Sequence, residues 1–393
     1  MQMETETHLL QANLIYWGFA MGKQNNEVKT DYVKAKTVEK IAGDNDIIIL
    51  LGERSNGKSF AVKELLIKKA YKNGEQFGYL RRYNEDTKDY LVTEYFSDVI
   101  KNKNGHEYIK EWTNGEYTTV TAYRKSIYFA NYDADNDKII RGKKIGRMFG
   151  LSNSEHYKSL AFPEIKNIVY EEFVTNGYYL CGQGGEPKLL LNFLSTVFRH
   201  EKGHLYCIGN KVSRINPYFG EWQLTNIPKQ KVNTVDVYRV KNEDSETKIA
   251  VYMTHTMKIN SGMFFGNAAK AITGGEWETD EQPHLTGHRD DYNLIYTTVF
   301  KYDRTTFLME FLQSRQNTNN FTWYVTPKTT PIQKDTRVVA NTFNINNLCT
   351  IGFVPLTKNE QVIFNMLKQG KVCFLDNLTG TEFKQCYNML GAL

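Results

Sequence analysis

Hydrophobic and polar positions alternate between two spacings over roughly the first 240 residues of the chain. Short apolar, β-branched runs predict strands at 47–51, 77–80, 165–170 and 205–208. Longer stretches with helical spacing predict helices at 32–42, 59–72 and 187–200. Residues 103–150, with several Asn, Asp, Gly and Lys, predict hairpins or an insertion. Strands that alternate with helices favour a mostly parallel α/β sheet.

The pattern changes after residue 240. The segment 241–290 contains Gly262, Gly266, Gly274 and Gly275 and a mixed acidic run at 276–281, which predicts a linker. Beyond it, strands are predicted at 293–302, 305–311 and 321–325, then a helix at 359–369, a strand at 372–375 and a helix at 381–390. We therefore divide the chain into an N-terminal extension (1–45), an α/β domain (46–240), the linker (241–290) and a C-terminal α+β domain (291–393).

The strongest chemical signal follows the first predicted strand. Residues 52–59 fit the phosphate-binding pattern G-x-x-x-x-G-K-[ST] and lie between an apolar strand and an amphipathic helix. The glycines let successive backbone N–H groups face phosphate oxygens, Lys58 reaches the β- and γ-phosphates, and the Ser59 hydroxyl binds Mg²⁺. ATP and Mg²⁺ are the expected cofactors. The predicted nucleotide-binding residues are Gly52, Glu53, Arg54, Ser55, Asn56, Gly57, Lys58 and Ser59.

Two acids follow the predicted strand at 165–170. Such an ATPase needs one carboxylate for the Mg²⁺ shell and often a second one to activate water. We assign Glu171 to the metal, through water, and Glu172 to general-base catalysis. The metal position is usually Asp, and Glu is one methylene longer. The alternative is a pair of solvated acids at the end of a strand.

Several strings together resemble the DNA-packaging ATPases of small tailed phages, the phi29-like group within the broader terminase-type motors. They cover about residues 45–225, and the likeness is weak beyond 240. The strings are Gly-Glu-Arg-Ser-Asn-Gly-Lys-Ser at 52–59, Gly-Glu-Gln-Phe-Gly-Tyr-Leu-Arg-Arg-Tyr at 74–83, Ile-Val-Tyr-Glu-Glu-Phe at 168–173, Thr-Val-Phe-Arg at 196–199 and Asn-Pro-Tyr-Phe at 216–219.

The resemblance implies a P-loop NTPase fold of the ASCE, RecA-like type and a pentameric ring that drives double-stranded DNA into a procapsid. Its implied partners are a portal or connector protein and a structural packaging RNA, and its implied location is the host cytoplasm, transiently on the procapsid. By that match, Arg199 is an arginine finger toward a neighbouring subunit, Asn210 is a sensor that couples hydrolysis to movement, and Arg54 contacts the γ-phosphate. A helix-end cation that interacts with the helix dipole is the alternative for Arg199.

Charge clustering suggests where DNA would bind. Lys and Arg total 49 against 44 Asp and Glu, a net charge of +5, so a nucleic-acid surface requires local clustering. The loop at 174–179 contains no Lys or Arg, whereas residues 138–150 contain no acid. Phosphate contact and a solvated hairpin are equally compatible with this cluster. Its members are Lys138, Arg141, Lys143, Lys144 and Arg147.

Other functions leave weaker signals. His200-Glu-Lys-Gly-His204 matches the zinc-protease pattern H-E-x-x-H, but Gly203 and the strand predicted from residue 205 favour a turn there. The five cysteines form no C-x-x-C pair and no apolar run is long enough to cross a membrane, so we expect a soluble intracellular protein with reduced thiols. A helicase-like or partition-type ATPase is the second hypothesis, and a zinc metalloprotease is a remote third.

The C-terminal domain raises a nuclease question. Three strands followed by helix, strand and helix resemble the order of a ribonuclease-H-like domain, which in terminases cuts DNA with two metal ions. Asp376 follows a predicted strand, but the first strand has no interior acid, and only Asp303 and Glu310 lie near it. We therefore expect a nuclease-like fold without nuclease activity, used to hold the portal or RNA.

Overall fold

The computed structural model describes residues 32–101, 104–175, 178–180, 185–199, 201–241, 246–255, 277, 279–302, 305–333, 336–340, 348–349 and 357–389. They form two β-sheets with helices packed against them. None of the described helices combines the length and the apolar character that crossing a membrane requires.

A nine-stranded sheet organises the larger, N-terminal part. Its strand order is β3-β4-β5-β2-β6-β7-β1-β9-β8. Its strands are β1 (Ile47–Gly52), β2 (Gln76–Arg81), β3 (Thr119–Tyr123), β4 (Ser126–Asp133), β5 (Lys138–Gly150), β6 (Ile165–Glu171), β7 (His204–Asn210), β8 (Thr234–Lys241) and β9 (Glu246–Met253). The helices are α1 (Ala35–Ala42), α2 (Lys58–Asn73), α3 (Asp89–Tyr95), α4 (Ser97–Ile100), α5 (Tyr108–Trp112), α6 (Gly185–Phe198) and α7 (Pro217–Glu221).

The centre of this sheet is parallel, as the sequence predicted. β1 pairs in parallel with β7 and β9, β6 with β2 and β7, and β2 with β5. β7 therefore separates the strand before the phosphate loop from the strand before the acidic pair, which is the ASCE arrangement. Only the edges, β3–β4–β5 and β8–β9, are antiparallel. Because the carboxyl ends of parallel strands share one edge, the candidate site residues meet there.

Strand β1 shows why the apolar run after residue 46 forms a central strand. Ile48 and Leu50 pack with α1 and α2 on one face, whereas Ile47, Ile49 and Leu51 pack on the opposite face with α6 and α7. A parallel strand covered on both faces needs apolar residues at every position, not an alternating pattern.

The N-terminal α/β domain is longer at both ends than the sequence suggested. Val33, Val38 and Ala42 belong to its core, so the extension predicted at 1–45 joins the domain from residue 33. The linker predicted at 241–290 begins inside a β-hairpin, because β9 (Glu246–Met253) pairs with β8 and β1. The glycines from which we predicted the linker lie at 262–275, outside the described residues. The boundary is wrong because β1 needs a hydrogen-bonding partner on both sides, and β9 is one of them.

The C-terminal part contains a six-stranded sheet of order β14-β13-β10-β11-β12-β15. Strands β10 to β12 form an antiparallel meander, and β13 and β15 run parallel to β10 and β12. The elements are β10 (Tyr292–Tyr302), β11 (Thr305–Ser314), β12 (Phe321–Pro327), β13 (Val338–Ala340), β14 (Leu348–Cys349), α8 (Lys358–Lys368), β15 (Val372–Phe374) and α9 (Asn377–Met389).

The order of strands in this sheet separates the acids that we considered as nuclease candidates. The predicted strands and helices are present in the predicted order, but β13 and β14 were missed because two- or three-residue strands carry no readable period. Two strands separate β15 from β10, so Asp376 does not meet the end of β10. Its carboxylate instead accepts from the backbone N–H of Thr379 (2.7 Å), capping α9, and Glu310 pairs with Arg289 (2.8 Å). Asp303 lies outside the described residues.

The segment after β7 connects the two sheets. Ser213 donates to the Gln385 side chain of α9 (3.0 Å), and Arg214 pairs with Glu382 of the same helix (3.3 Å). Ile215 packs on the apolar core of the C-terminal sheet. The C-terminal helix α9 therefore contacts residues that follow Asn210 closely in the sequence.

Candidate nucleotide-binding site

The residues between β1 and α2 line a cleft of about 910 Å³ at the carboxyl edge of the large sheet. Gly57 precedes α2 with a left-handed φ of 88°, and Ser55 has a φ of 61°. A Cβ atom on Gly52 would lie 1.9 Å from the Thr254 hydroxyl oxygen, so only glycine fits there. The two glycines of the motif are therefore required for different reasons. Gly52 lies too close to Thr254 for a side chain, and Gly57 adopts a left-handed backbone conformation.

Lys58 is buried in this loop and contacts a residue from another strand. Its Nζ donates to the side-chain oxygens of Asn56 (3.0 Å) and Asn210 (3.3 Å), and to the backbone carbonyl of Glu53. Burial lowers the pKa of Lys58 from 10.5 to about 8, against the opposing influence of the Glu171 and Glu53 carboxylates. The structure thus brings together the loop lysine and the predicted sensor.

Glu171, the last residue of β6, faces the first turn of α2. Ser59 Oγ donates to Glu171 Oε2 (3.1 Å), and the Tyr95 hydroxyl donates to Oε1 (2.7 Å). The carboxylate is buried, and this burial raises its pKa although both hydroxyls and Lys63 oppose the shift. Sequence reasoning paired Ser59 with Glu171 but missed Tyr95, which comes from α3.

The oxygen donors at this point suit Mg²⁺. Mg²⁺ is usually held by one or two protein oxygens and completes its octahedron with water and nucleotide phosphates. Ser59 Oγ and Glu171 Oε2 are oxygen donors 3.1 Å apart on the wall of the cleft. Over the described ranges no group of three His, Cys, Asp or Glu side chains could hold a metal ion. The residues present therefore match an ion held jointly with a nucleotide, not a closed protein cage.

Glu172 has a different environment from its neighbour. It follows β6 with a left-handed φ of 54°, its side chain is 67% exposed, and it lines the cleft. Arg81, at the end of the adjacent strand β2, donates to Glu172 Oε2 (3.0 Å). The two acids that the sequence predicted are thus separated, one buried beside the P-loop and one exposed beside an arginine.

A buried ion pair holds the turn that follows these acids. Arg82 Nε donates to both oxygens of Glu186 (3.1 and 2.9 Å), and its other nitrogens donate to the carbonyls of Glu172 and Phe173. Glu186 also accepts from the hydroxyls of Tyr170 and Tyr218, each at 2.8 Å. Arg82 and Tyr218 belong to the strings at 74–83 and 216–219, so residues of those strings hold the acidic turn in place.

A residue from the predicted linker completes the phosphate loop. Asn56 Nδ2 donates to Thr254 Oγ1 (2.6 Å), which in turn donates to the carbonyl of Leu51 (3.0 Å). Thr254 follows β9 immediately and is fully buried. No sequence motif indicates this residue, because its role depends on β9 pairing beside β1.

The two arginines assigned by resemblance lie in different places. Arg54 lines the cleft. Arg199 is exposed just after α6, with a left-handed φ of 51°, and donates to the carbonyl of Leu160 (2.9 Å). It is absent from the described residues that line the cleft.

The basic cluster lies on the β4–β5 hairpin, and its members differ in exposure. Lys138, Arg141 and Lys143 are exposed, and the Arg141 guanidinium lies 4.0 Å from the centre of the Tyr123 ring. Lys144 and Arg147 are half-buried, and Arg147 lies over the Phe162 ring at 5.2 Å. Arg147 therefore packs on an aromatic ring, and Lys143 Nζ donates to the Ala70 carbonyl (3.2 Å). Lys138, Arg141 and Lys143 present the most exposed side chains of the cluster.

The zinc-protease hypothesis is wrong. His204 is the first residue of β7, and its Nδ1 lies 3.0 Å from the Asn45 carbonyl. Glu201 forms an ion pair with Lys166. A strand that begins at the second histidine cannot present both histidines on one helical face. His200 lies outside the described residues.

Comparison with known proteins gives a consistent result. A family model described as Podovirus DNA encapsidation protein (Gp16) matches residues 31–121 and 126–271, more than half of the chain. A DNA packaging protein of Bacillus phage B103 is 32% identical over 207 residues, 52% of this chain and 56% of that protein. The DNA packaging protein of Bacillus phage phi29 is 31% identical over 206 residues, 51% of this chain and 54% of its own length.

The chain thus spans about half the length of the curated relatives that it matches. One solved structure, the bacteriophage phi29 viral genome packaging motor assembly, contains a similar chain with a TM-score of 0.51 and 21% identity. The match covers 92% of this chain and 99% of that chain, and at this identity it shows the fold alone. By the family match, with the strings at 52–59 and 168–173 placed around one cleft, this chain belongs to the Podovirus Gp16 family of DNA encapsidation proteins.

Proposed function

We propose that the chain is a subunit of an ATP-hydrolysing motor that drives double-stranded viral DNA into a procapsid. One observation carries the proposal. Lys58, Ser59, Glu171 and Asn210 converge on one cleft at the carboxyl edge of the sheet, in a chain of the encapsidation family. The family match supports DNA as the substrate of the motor, and the cleft supports ATP hydrolysis as its source of energy.

The phosphate loop binds ATP. The N-terminus of α2 and the backbone around Gly57 present N–H groups to the β- and γ-phosphates. Lys58 leaves Asn56 and Asn210 to contact the γ-phosphate, and Arg54 reaches it from within the loop. Ser59 and Glu171 hold Mg²⁺, which when bound neutralises charge on the phosphates.

Glu172 activates the attacking water. Its exposed carboxylate lines the cleft and accepts the proton that water loses during attack. Arg81 orients the side chain, and the network around Arg82 and Glu186 fixes the turn that carries it. Asn210 contacts Lys58 directly and therefore detects whether a γ-phosphate has drawn the lysine away.

Assembly completes the site. Arg199 is exposed and outside its own cleft, as an arginine finger acting on a neighbouring subunit must be. We infer a pentameric ring on a portal or connector, with DNA phosphates against the exposed side chains of Lys138, Arg141 and Lys143. The C-terminal domain holds the portal or a packaging RNA, and the ring works in the host cytoplasm on the procapsid.

Displacement of a triplex-forming oligonucleotide from a DNA duplex tests translocation. The full chain with ATP and Mg²⁺ should displace the third strand without separating the duplex. Lys58→Ala should abolish displacement, whereas Lys72→Ala, an exposed lysine on the same helix, should preserve it. Unwinding of a forked duplex without triplex displacement would favour a helicase-like ATPase. ATP hydrolysis with neither movement would favour a partition-type ATPase.

A further inference from the structure

Tyr95 gives Glu171 a second hydrogen-bond partner from an element distant in sequence. The Tyr95 hydroxyl at the end of α3 donates to Glu171 Oε1 (2.7 Å), while Ser59 Oγ donates to Oε2 (3.1 Å). Each carboxylate oxygen therefore has one donor, and the two donors lie on different helices. A carboxylate held at both oxygens has a fixed plane as well as a fixed position.

Tyr95 is itself held in place. Lys63 Nζ donates to the backbone carbonyl of Tyr95 (2.7 Å), lies 4.3 Å from the centre of its ring and pairs with Asp98 (2.6 Å). The Tyr79 ring lies 4.6 Å away and the Phe96 ring 5.0 Å away, between centroids. Because the ring is enclosed on several sides, the hydroxyl cannot move far from Glu171.

We propose that Tyr95 is a positioning residue that fixes the Glu171 carboxylate for Mg²⁺; this inference rests on the proposed ATPase function. Glutamate has one more rotatable bond than the aspartate that usually occupies this position, and free rotation would spread the carboxylate over several rotamers. The Tyr95 hydroxyl restrains that extra bond by engaging Oε1. The oxygen beside Ser59 then stays aimed at the part of the cleft where phosphates bind.

Tyr95→Phe removes only the hydroxyl and keeps the enclosed ring. Groups that orient a metal-binding side chain typically contribute about 10- to 100-fold in metal affinity or activity. We expect the Mg²⁺ concentration for half-maximal binding of a fluorescent ATP analogue to rise about tenfold in the full-length variant. Binding in EDTA should stay unchanged, because Lys58 and the loop amides do not touch Tyr95.

Tyr206→Phe is the matched control. It removes a buried hydroxyl from β7 in the same sheet, and this hydroxyl has no hydrogen-bond partner among the described residues. In this control, the Mg²⁺ concentration for half-maximal binding of the ATP analogue should equal that of the wild type. Thermal unfolding of both variants shows whether either substitution acts through the fold.

Glu171→Asp separates positioning from a general effect. The shorter carboxylate no longer needs the restraint on the extra bond, so adding Tyr95→Phe to Glu171→Asp should raise the Mg²⁺ half-point much less than tenfold. An equal rise in both backgrounds, or no rise in the wild-type background, would overturn the role of Tyr95. A wild type that binds nucleotide but does not hydrolyse ATP in saturating Mg²⁺ would instead overturn the proposed ATPase function.

Discussion

Arg81 donates to Glu172 across the ends of the adjacent strands β2 and β6, at an Nη2–Oε2 distance of 3.0 Å. The contact joins a half-buried arginine to a carboxylate whose side chain is 67% exposed. It gives the candidate general base a defined direction, although its backbone leaves the strand in a left-handed conformation. Arg81 also lies 3.6 Å from Asp86, which does not line the cleft.

Glu172→Gln should bind ATP normally and hydrolyse it about 10²- to 10⁴-fold more slowly, because an amide cannot accept the proton of the attacking water. Single-turnover hydrolysis and equilibrium binding measure the two effects separately. Asp86→Asn, which changes the other carboxylate beside Arg81, should hydrolyse ATP at nearly the wild-type rate. Normal turnover in Glu172→Gln would remove that residue from the mechanism.

ATP affinity should fall as pH rises above about 8, because the buried Lys58 has a pKa of about 8 in the free protein. Below that pH the lysine is already charged, so affinity should be flat. Above it, binding to phosphate raises the pKa of Lys58 and takes up a proton, which lowers affinity by up to about tenfold per pH unit.

Calorimetry in two buffers of different ionisation enthalpy measures this proton uptake directly. Lys58→Arg keeps its charge throughout this range, so its weaker ATP binding should show no such pH dependence. A wild-type affinity that stays constant between pH 8 and 9.5 would show that Lys58 remains charged in the free protein.

Arg199→Ala should bind ATP and hydrolyse it about 10³- to 10⁵-fold more slowly, if the guanidinium acts on a neighbouring subunit. Mixing Arg199→Ala with Glu172→Gln subunits, each inactive alone, should restore part of the ATPase activity. Some interfaces then pair an intact Glu172 with an intact Arg199, whereas a residue acting within its own subunit gives no rescue. Assembled mixtures that stay inactive at every ratio would assign Arg199 to the Leu160 contact alone.

Neutralising Lys138, Arg141 and Lys143 together should flatten the salt dependence of DNA binding by about three units if each contacts a phosphate. The slope of log affinity against log salt concentration measures this directly. Neutralising Lys144 and Arg147, which are half-buried, is the comparison and should change the slope much less. Equal slopes in the wild type and the triple variant would make the hairpin a solvated surface.

Asp376→Ala should lower the free energy of unfolding by about 1 kcal/mol, because it removes the cap of α9. Asp376→Asn should restore most of the loss, since asparagine caps helices equally well. We expect the full chain to leave DNA uncut with Mg²⁺ or Mn²⁺. Cleavage that both substitutions abolish would instead make Asp376 a metal ligand of a nuclease.

The sequence alone determined the elements whose signals are local. A β-branched run, a glycine-bounded loop and an amphipathic helix follow one another at 47–72, so this strand–loop–helix unit could be predicted without knowing its neighbours. Glu171 could also be placed, because it follows a recognisable strand, whereas the role of Asn210 came only from the resemblance to the packaging ATPases. Parallel strands bring their carboxyl ends to one edge, which places the strand end before Glu171 at the same edge as the phosphate loop.

Tertiary structure alone decided which other groups complete the site. Tyr95 meets Glu171 across 76 positions, Arg81 meets Glu172 across 91, and Asn56 meets Thr254 across 198. The local spacing of hydrophobic residues does not indicate such contacts, because they depend on the order of strands in the sheet and on the helices packed on it. The same reason explains β9: its place beside β1 follows from the hydrogen bonds that a central strand must make on both sides, not from the composition of residues 246–253.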